Sequence, residues 1–347
     1  MQAPNIALIG LGQMGQKEAL ALEDLEKRGC LRFSSISDTN PKLANYAKSK
    51  HPNRRFYTDY KEMISRENPD GVLIAVPAGY HEDIARGCID YGRKALFIEK
   101  PLVPLKRLQS GIKLVEDAKS HGVRIMTGDI TCFYSAVNFL IGSKDVFGDI
   151  QRVITFWLGY YNWRDPNVDV VDDYGTHVYR NFKYMLGEPE AKIIGSPIYT
   201  SLMRAGQKDF CSFQAATLDD KRFFTILGWL PDFGQDKNNK RYQMRVSYIQ
   251  GSKTVGKIDF DKPNGGSLEI ISRDVMDRIR VADSDARQLL ELQGVGGIPL
   301  CIEPKDPLRE ELKHFAEVVS NDKMEIRTSA ERELEALKEM WPIISQQ

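Results

Sequence analysis

The chain has 347 residues, 42% hydrophobic and 28% charged, a length and balance that suit two globular domains. Its 48 basic and 48 acidic side chains cancel, so no global field draws it to nucleic acid or an anionic membrane. No apolar run reaches the roughly 18 residues that suggest a membrane span, and Met1 to Asn5 carry no export-signal pattern.

Asn5 to Gly10 reads as a short buried strand, followed by a helical pattern from Gln13 to Arg28. Arg32 to Ser37 is a second strand. Asn40 is placed to cap the next helix, with Pro41 in its first turn. Gly71 to Val76 is another strand, His81 to Tyr91 a helix, and Ala95 to Ile98 a strand. Gln109 to Ser120 is an amphipathic helix, and Val123 to Met126 closes the series. Strands alternating with helices in this way predict parallel βαβ units, hence an α/β Rossmann domain with a doubly wound sheet over residues 1–127.

Residues 128–347 read differently. Segments 151–159, 222–230, 242–250 and 254–260 are rich in β-branched and aromatic residues, and 232–240 reads as a hairpin tip. Helical patterns return at Leu308 to Val319 and Ser329 to Met340. An α+β domain with a large, mostly antiparallel open sheet is expected here. Trp157, inside a strand, reads as core.

Gly10-Leu11-Gly12-Gln13-Met14-Gly15 is a G-x-G-x-x-G turn between a predicted strand and a predicted helix. The first glycine permits the tight turn, the second lets backbone approach a pyrophosphate, and the third lets helix and sheet pack closely. The helix N-terminus adds N–H groups and partial positive charge for the phosphates. Asp38 ends the second strand, 23 positions after Gly15, where a carboxylate meets the adenosine ribose. Such a carboxylate repels a 2′-phosphate, so NAD is expected in preference to NADP.

Pro77 and His81 follow one strand, and Glu99-Lys100-Pro101 follow the next. The carboxyl ends of strands in an open α/β sheet are where ligands lie, so Lys100 is expected near the nicotinamide, where it polarises a substrate hydroxyl. Asp172-Asp173-Tyr174-Gly175-Thr176-His177 supplies a carboxylate and an imidazole four positions apart, suited to proton exchange with a hydroxyl. Asp172 competes with Asp173 as the acidic group. Tyr161, Trp163 and Arg164 are candidate substrate contacts, because aromatic faces stack on sugar rings and arginine takes carboxylate or phosphate. The five cysteines are scattered with no C-x-x-C, which suits reduced thiols in the cytoplasm, and no histidine pair has metal-ligand spacing.

Together, the glycine turn, Pro77, His81, Glu99-Lys100-Pro101 and Asp173-x-Gly175-x-His177 resemble the glucose–fructose oxidoreductase / inositol dehydrogenase / MocA-like family. Phe147-Gly148-Asp149-Ile150, Tyr248 to Asp259 and Pro307 to Phe315 resemble later features of its pattern. The resemblance implies that Lys100, Asp173 and His177 form the catalytic set, with His177 as general acid/base, Lys100 polarising the hydroxyl and Asp173 positioning substrate or histidine. It also implies that Glu99 helps fix the lysine, that the Lys100–Pro101 bond can be cis, and that the final helix packs back on the first domain. The chain departs from the pattern at Val170-Val171-Asp172, where glycines are common. It departs again at Arg180, where an aspartate is common, and at Gly128 to Tyr134, which lacks a basic residue.

The expected activity is hydride transfer between NAD and a secondary alcohol or ketone of a sugar, cyclic polyol or nucleotide sugar, by a homodimer or homotetramer. Alternatives are a redox-neutral NAD-dependent glycosidase or lyase, and a non-catalytic NAD-binding regulator.

Overall fold

The computed structural model describes residues 3–160, 170–200, 209–230, 243–263, 265–271 and 297–344. Two compact units divide the chain: 1–130 with 308–338, and 131–307 with 339–347.

The first unit holds a six-stranded parallel sheet in the order β3-β2-β1-β4-β5-β6. Its strands are β1 (Asn5–Ile9), β2 (Arg32–Ser37), β3 (Arg55–Tyr57), β4 (Gly71–Ile74), β5 (Ala95–Ile98) and β6 (Arg124–Thr127). Helices α1 (Gln13–Lys27), α2 (Leu43–Lys50), α3 (Tyr60–Glu67), α4 (His81–Asp90) and α5 (Leu108–Ser120) connect them. β1, β4 and β5 are fully buried and read as unbroken apolar runs, because helices cover both faces of such a sheet. The strand order reverses between β1 and β4, the kind of switch point outside which ligands lie in open α/β sheets.

α2 starts two residues later than the Asn40-Pro41 signal suggests. Asn40 does cap this region, its side-chain oxygen accepting from the Lys42 N–H at 3.1 Å, but Pro41 and Lys42 form a turn before the helix. β3 and α3 are short elements that the chain pattern alone did not announce.

The sequence reading placed 128–347 in a second domain, with only the last helix returning to the first. In the structure α9 (Pro307–Ser320) also returns, from Leu308 onward. Phe315 packs edge-on against Phe97 of β5 at 5.6 Å between ring centroids. A Cβ on Gly71 would lie 2.7 Å from the Val319 side chain, so β4 accepts α9 only with glycine there. Thr127 and Thr328 exchange backbone and side-chain hydrogen bonds at 2.7–3.0 Å. The unit boundary then falls inside α10 (Ala330–Ile344), between Lys338 and Glu339.

The second unit is built on an eight-stranded sheet, order β14-β13-β12-β11-β7-β10-β9-β8. Its strands are β7 (Ile150–Tyr160), β8 (Ala191–Thr200), β9 (Phe210–Thr217), β10 (Arg222–Leu230), β11 (Met244–Gly251), β12 (Val255–Asp259), β13 (Ser267–Ile271) and β14 (Ile298–Pro299). Among the described residues β7 and β10 pair in parallel and the other ladders are antiparallel. Helices α6 (Ser135–Gly142), α7 (Lys144–Phe147) and α8 (Thr176–Met185) belong to this unit among the described residues. One sheet face collects Ile154, Phe156, Leu158, Met244, Val246 and Tyr248 into a core cluster. The alternate residues of β7 include Trp157, which meets Tyr174 and His177. The expected hairpin tip at 232–240 lies outside the described residues. Among the described residues no helix is long and apolar enough to cross a membrane.

Candidate active site

The glycine turn follows β1 at the switch point. Gly10 has φ +98°, and a Cβ there would sit 2.3 Å from the Ala75 carbonyl oxygen. A Cβ on Gly15 would sit 2.1 Å from the Gly10 carbonyl oxygen. Both positions therefore exclude every side chain. Gly12 is different: a Cβ there meets nothing within 4 Å. The middle glycine faces open space, and α1 begins beside it with no capping side chain and no acidic residue in its first turn. Gly12 and Gln13 are exposed and Met14 is half-buried. An uncapped helix end beside an open backbone stretch is the cradle a pyrophosphate needs, so these residues fit a dinucleotide.

Asp38 leaves β2 at the same sheet edge. One carboxylate oxygen accepts from the Leu11 N–H at 2.7 Å and the other from the Asn40 N–H at 2.8 Å. The carboxylate is thus held against the glycine turn, and each oxygen retains a lone pair for a further donor.

Beyond β4 and β5 the two loops are joined by His81. Its Nδ1 lies 2.9 Å from the Pro101 carbonyl oxygen and its Nε2 lies 2.8 Å from that of Val76. Burial pushes the imidazole pKa below its usual value, against the opposing pull of those carbonyls. The ring N–H donates to one of these carbonyls, and the imidazole fills the space between the Pro77 turn and the Lys100 turn. The Lys100–Pro101 bond is cis, and the Lys100 N–H donates to a Glu99 carboxylate oxygen at 3.3 Å. Gly128 lets that carboxylate approach: a Cβ there would lie 3.0 Å from it. Gly10, Asp38, Pro77, Glu99 and Lys100 therefore share the carboxyl edge of one sheet.

Two acids in this unit were not picked out from the sequence. Glu18 of α1 and Glu311 of α9 are both fully buried, and burial, followed by the Glu99 charge, raises both well above the usual carboxylate range. Glu311 accepts from the Asp129 N–H at 2.7 Å. A signal for Glu18 was present, because it occupies the apolar stripe of α1 with Leu22 and Leu25.

In the second unit Asp173 and His177 lie on successive turns. Val171–Gly175 forms a π-helical turn leading into α8, the wide-turn geometry that often marks functional segments. Gly175 is needed there, since a Cβ would crowd Val171 at 3.0 Å and Met340 at 3.2 Å. Asp173 is buried and His177 half-buried. The indole of Trp157, a residue the sequence assigned to core alone, is buried and stacks on the imidazole with centroids 6.4 Å apart.

α8 itself is held by charged groups that sequence reasoning had not paired. Arg180 forms a fork with Glu188 at 2.7 and 2.9 Å. Glu339 accepts from Lys183 at 2.7 Å and from the Tyr179 hydroxyl at 2.8 Å. Burial and the Glu339 charge raise the Tyr179 pKa, so the phenol stays un-ionised. Tyr161, Trp163 and Arg164 lie outside the described residues, as does the Asp172 side chain.

Comparison with known proteins follows the same outline. Residues 4–129 match the family described as "Oxidoreductase family, NAD-binding Rossmann fold", the Gfo/Idh/MocA family. The chain is 26% identical over 213 residues to an inositol 2-dehydrogenase of Rhodococcus erythropolis, 59% of each protein being covered. It is 23% identical over 232 residues to a 2,7-anhydro-N-acetylneuraminate hydratase of Mediterraneibacter gnavus, covering 62% of this chain and 58% of that one. The matches thus span about three fifths of these relatives' length. A UDP-N-acetylglucosamine 3-dehydrogenase from Acidithiobacillus ferrooxidans superposes with a TM-score of 0.76 at 16% identity, covering 97% of this chain and 95% of that one. The glycine turn, the Rossmann strand order and the Glu99-Lys100-Pro101 turn thus lie within residues 4–129, the part of the chain that matches the NAD-binding domain of the Gfo/Idh/MocA oxidoreductase family.

Proposed function

We propose that the protein is an NAD-dependent oxidoreductase acting on a secondary alcohol, or the corresponding ketone, of a sugar, cyclic polyol or nucleotide sugar. The observation that carries this reading is the placement of Lys100 on the sheet edge that also bears the open glycine turn and Asp38. Gly10 to Gly15 and the start of α1 would hold the pyrophosphate, and Asp38 the adenosine ribose, favouring NAD over NADP. When bound, NAD supplies the carbon that takes or gives the hydride. Lys100 hydrogen-bonds the substrate oxygen and stabilises negative charge on it. His177 takes or returns the hydroxyl proton, and Asp173 orients substrate or imidazole. His81 and Glu99 keep the Lys100 turn in place. The names of the relatives, an inositol dehydrogenase and a nucleotide-sugar dehydrogenase, support a polyhydroxylated substrate.

Residues 1–130 with 308–338 form the NAD-binding part in this reading, and the second unit the substrate-binding and assembly part. Exposed Ile198 and Ile298 on edge strands β8 and β14 support assembly into two or four copies. Light scattering of the purified chain measures that directly.

The activity is tested by NADH formation against inositols, free sugars and nucleotide sugars, with Lys100→Ala and His177→Ala as controls. Substrate-dependent NADH formation that both variants abolish is the expected result. Full activity in both variants removes the assignment, and substrate conversion without net NADH assigns redox-neutral chemistry instead.

A further inference from the structure

Glu18 is wholly enclosed on α1, one turn into the helix that the glycine turn opens. Neither of its carboxyl oxygens meets an N–H or O–H donor. Its neighbours include another carboxyl, that of Glu99, which adds to the effect of burial in raising the Glu18 pKa. Two carboxylates side by side in a dry interior cannot both ionise, so one holds a proton and donates it to the other. The environment decides which. Glu99 is half-buried and already accepts from the Lys100 N–H. Glu18 has no such donor and no solvent.

The other titratable groups facing this point keep the same order. Glu311 from α9 is a third carboxyl directed at Glu99, fully buried, with one oxygen already accepting from the Asp129 N–H. The Asp129 charge bears on Glu311, and His81 from α4 faces Glu99 with a backbone carbonyl beside each ring nitrogen.

We propose that Glu18 is a positioning residue, un-ionised at neutral pH, whose O–H donates to the Glu99 carboxylate and thereby fixes the turn that presents Lys100. The inference rests on the role given to Lys100 above, but the proton on Glu18 does not. α1 then serves two ends: its first turn faces the cofactor, and its second turn holds the amine-bearing loop from below.

Glu18→Gln keeps the shape and an N–H donor, whereas Glu18→Ala removes the donor. Three measurements on the full-length protein test the proposal. First, the infrared difference between wild type and E18Q at neutral pH contains the carbonyl band of an un-ionised carboxylic acid; its absence overturns the proton assignment. Second, Glu18 has a folded-state pKa raised above the unfolded value of 4.5. Its contribution is therefore complete below that pH and is lost as pH rises through the folded pKa. E18Q should gain melting temperature relative to wild type as pH rises from about 5, and a pH-independent difference overturns the proposal.

Third, the acylation rate of Lys100 by an N-hydroxysuccinimide ester, read by peptide mass spectrometry, should be retained in E18Q. In E18A it should change by roughly tenfold, the worth of one buried hydrogen bond to a charged group. Where a substrate has been found, kcat follows the same order with KM for NAD unchanged. Equal behaviour of E18Q and E18A removes the positioning role. A wild-type protein without any NADH-forming activity defeats the functional reading while these three measurements still decide the proton. Should E18A fail to fold, E18Q decides through the infrared band, the pH trend and the retained acylation rate, whose loss in E18Q overturns the role.

Discussion

The imidazole of His177 lies against the indole of Trp157 with their planes inclined by 28°. Trp157 is 4% exposed and is also crossed by the Arg245 guanidinium at 5.6 Å from a ring centroid, so the indole is fixed on several sides. A fixed aromatic surface limits where the half-buried histidine can turn. Trp157→Phe should preserve a stacking surface and keep activity within about threefold, whereas Trp157→Ala should cost about 3–5 kcal/mol of stability. Urea melts beside kcat measurements on the W157F variant check this pair of outcomes.

The three glycines of the phosphate turn should separate into two kinds. Gly10→Ala and Gly15→Ala force a Cβ into backbone at 2.3 and 2.1 Å, and both variants should melt far below wild type. Gly12→Ala meets no protein atom within 4 Å and should melt as wild type does. Its methyl group would stand where the pyrophosphate approaches, so NAD affinity should fall by roughly a hundredfold. Calorimetric melting and NAD titration on the three variants decide it, and a poorly folded G12A would contradict the open cradle.

Asp38 both braces the Leu11 N–H and carries the charge proposed to reject a 2′-phosphate. Asp38→Asn retains an acceptor but loses the charge. It should weaken NAD by about tenfold and narrow the gap between NAD and NADP. Titrating both nucleotides against wild type and D38N measures the ratio, which an Asp38 serving only the turn would leave unchanged.

The Arg180–Glu188 fork is a buried pair, with the arginine side chain 1% and the glutamate 15% exposed. Changing one partner removes an ion pair from a largely dry interior. Glu188→Gln should therefore cost about 3–5 kcal/mol, while Arg180→Met combined with Glu188→Leu should recover most of the loss. Chemical denaturation of the single and double variants tests the expectation.

His314 on α9 gives the first unit a pH response. Burial first, then the Arg327 and Arg124 charges, hold its pKa down at about 4, and its Nε2 accepts from the Arg327 N–H at 3.1 Å. A depressed histidine stabilises the fold fully above the unfolded value of 6.5, and that contribution disappears as pH falls through about 4. Acidification across this interval should remove up to about 3 kcal/mol, and His314→Gln should flatten the dependence. Melting temperature against pH for wild type and H314Q is the relevant measurement.

Much of the first unit was legible because β1, β4 and β5 are apolar without interruption and the glycine turn stands between strand and helix. β3 and α3 escaped notice because Arg55–Tyr57 and Tyr60–Glu67 are too short to display a period. The return of α9 was hidden for another reason. Its apolar stripe announces burial without naming the partner, and Phe315 and Phe97 are remote in sequence. Glu18 was passed over as one more charged residue in a helix, although its place among apolar positions set it apart. Trp157 was read as packing, and it is buried, but its contact with His177 joins a strand to a turn that no local pattern pairs.

The late return of the chain bears on biosynthesis. Arg124 at the start of β6 donates to the Val318 and Asn321 carbonyls at 2.9 and 2.8 Å, and Thr127 is bound to Thr328. The sheet translated first thus leaves the ribosome with part of its apolar flank and one edge unsatisfied until residues 308–338 have been made. A nascent chain arrested near residue 130 should be protease-sensitive and chaperone-bound. A circular permutant that places 308–338 ahead of β1 would let the nucleotide-binding half mature on its own.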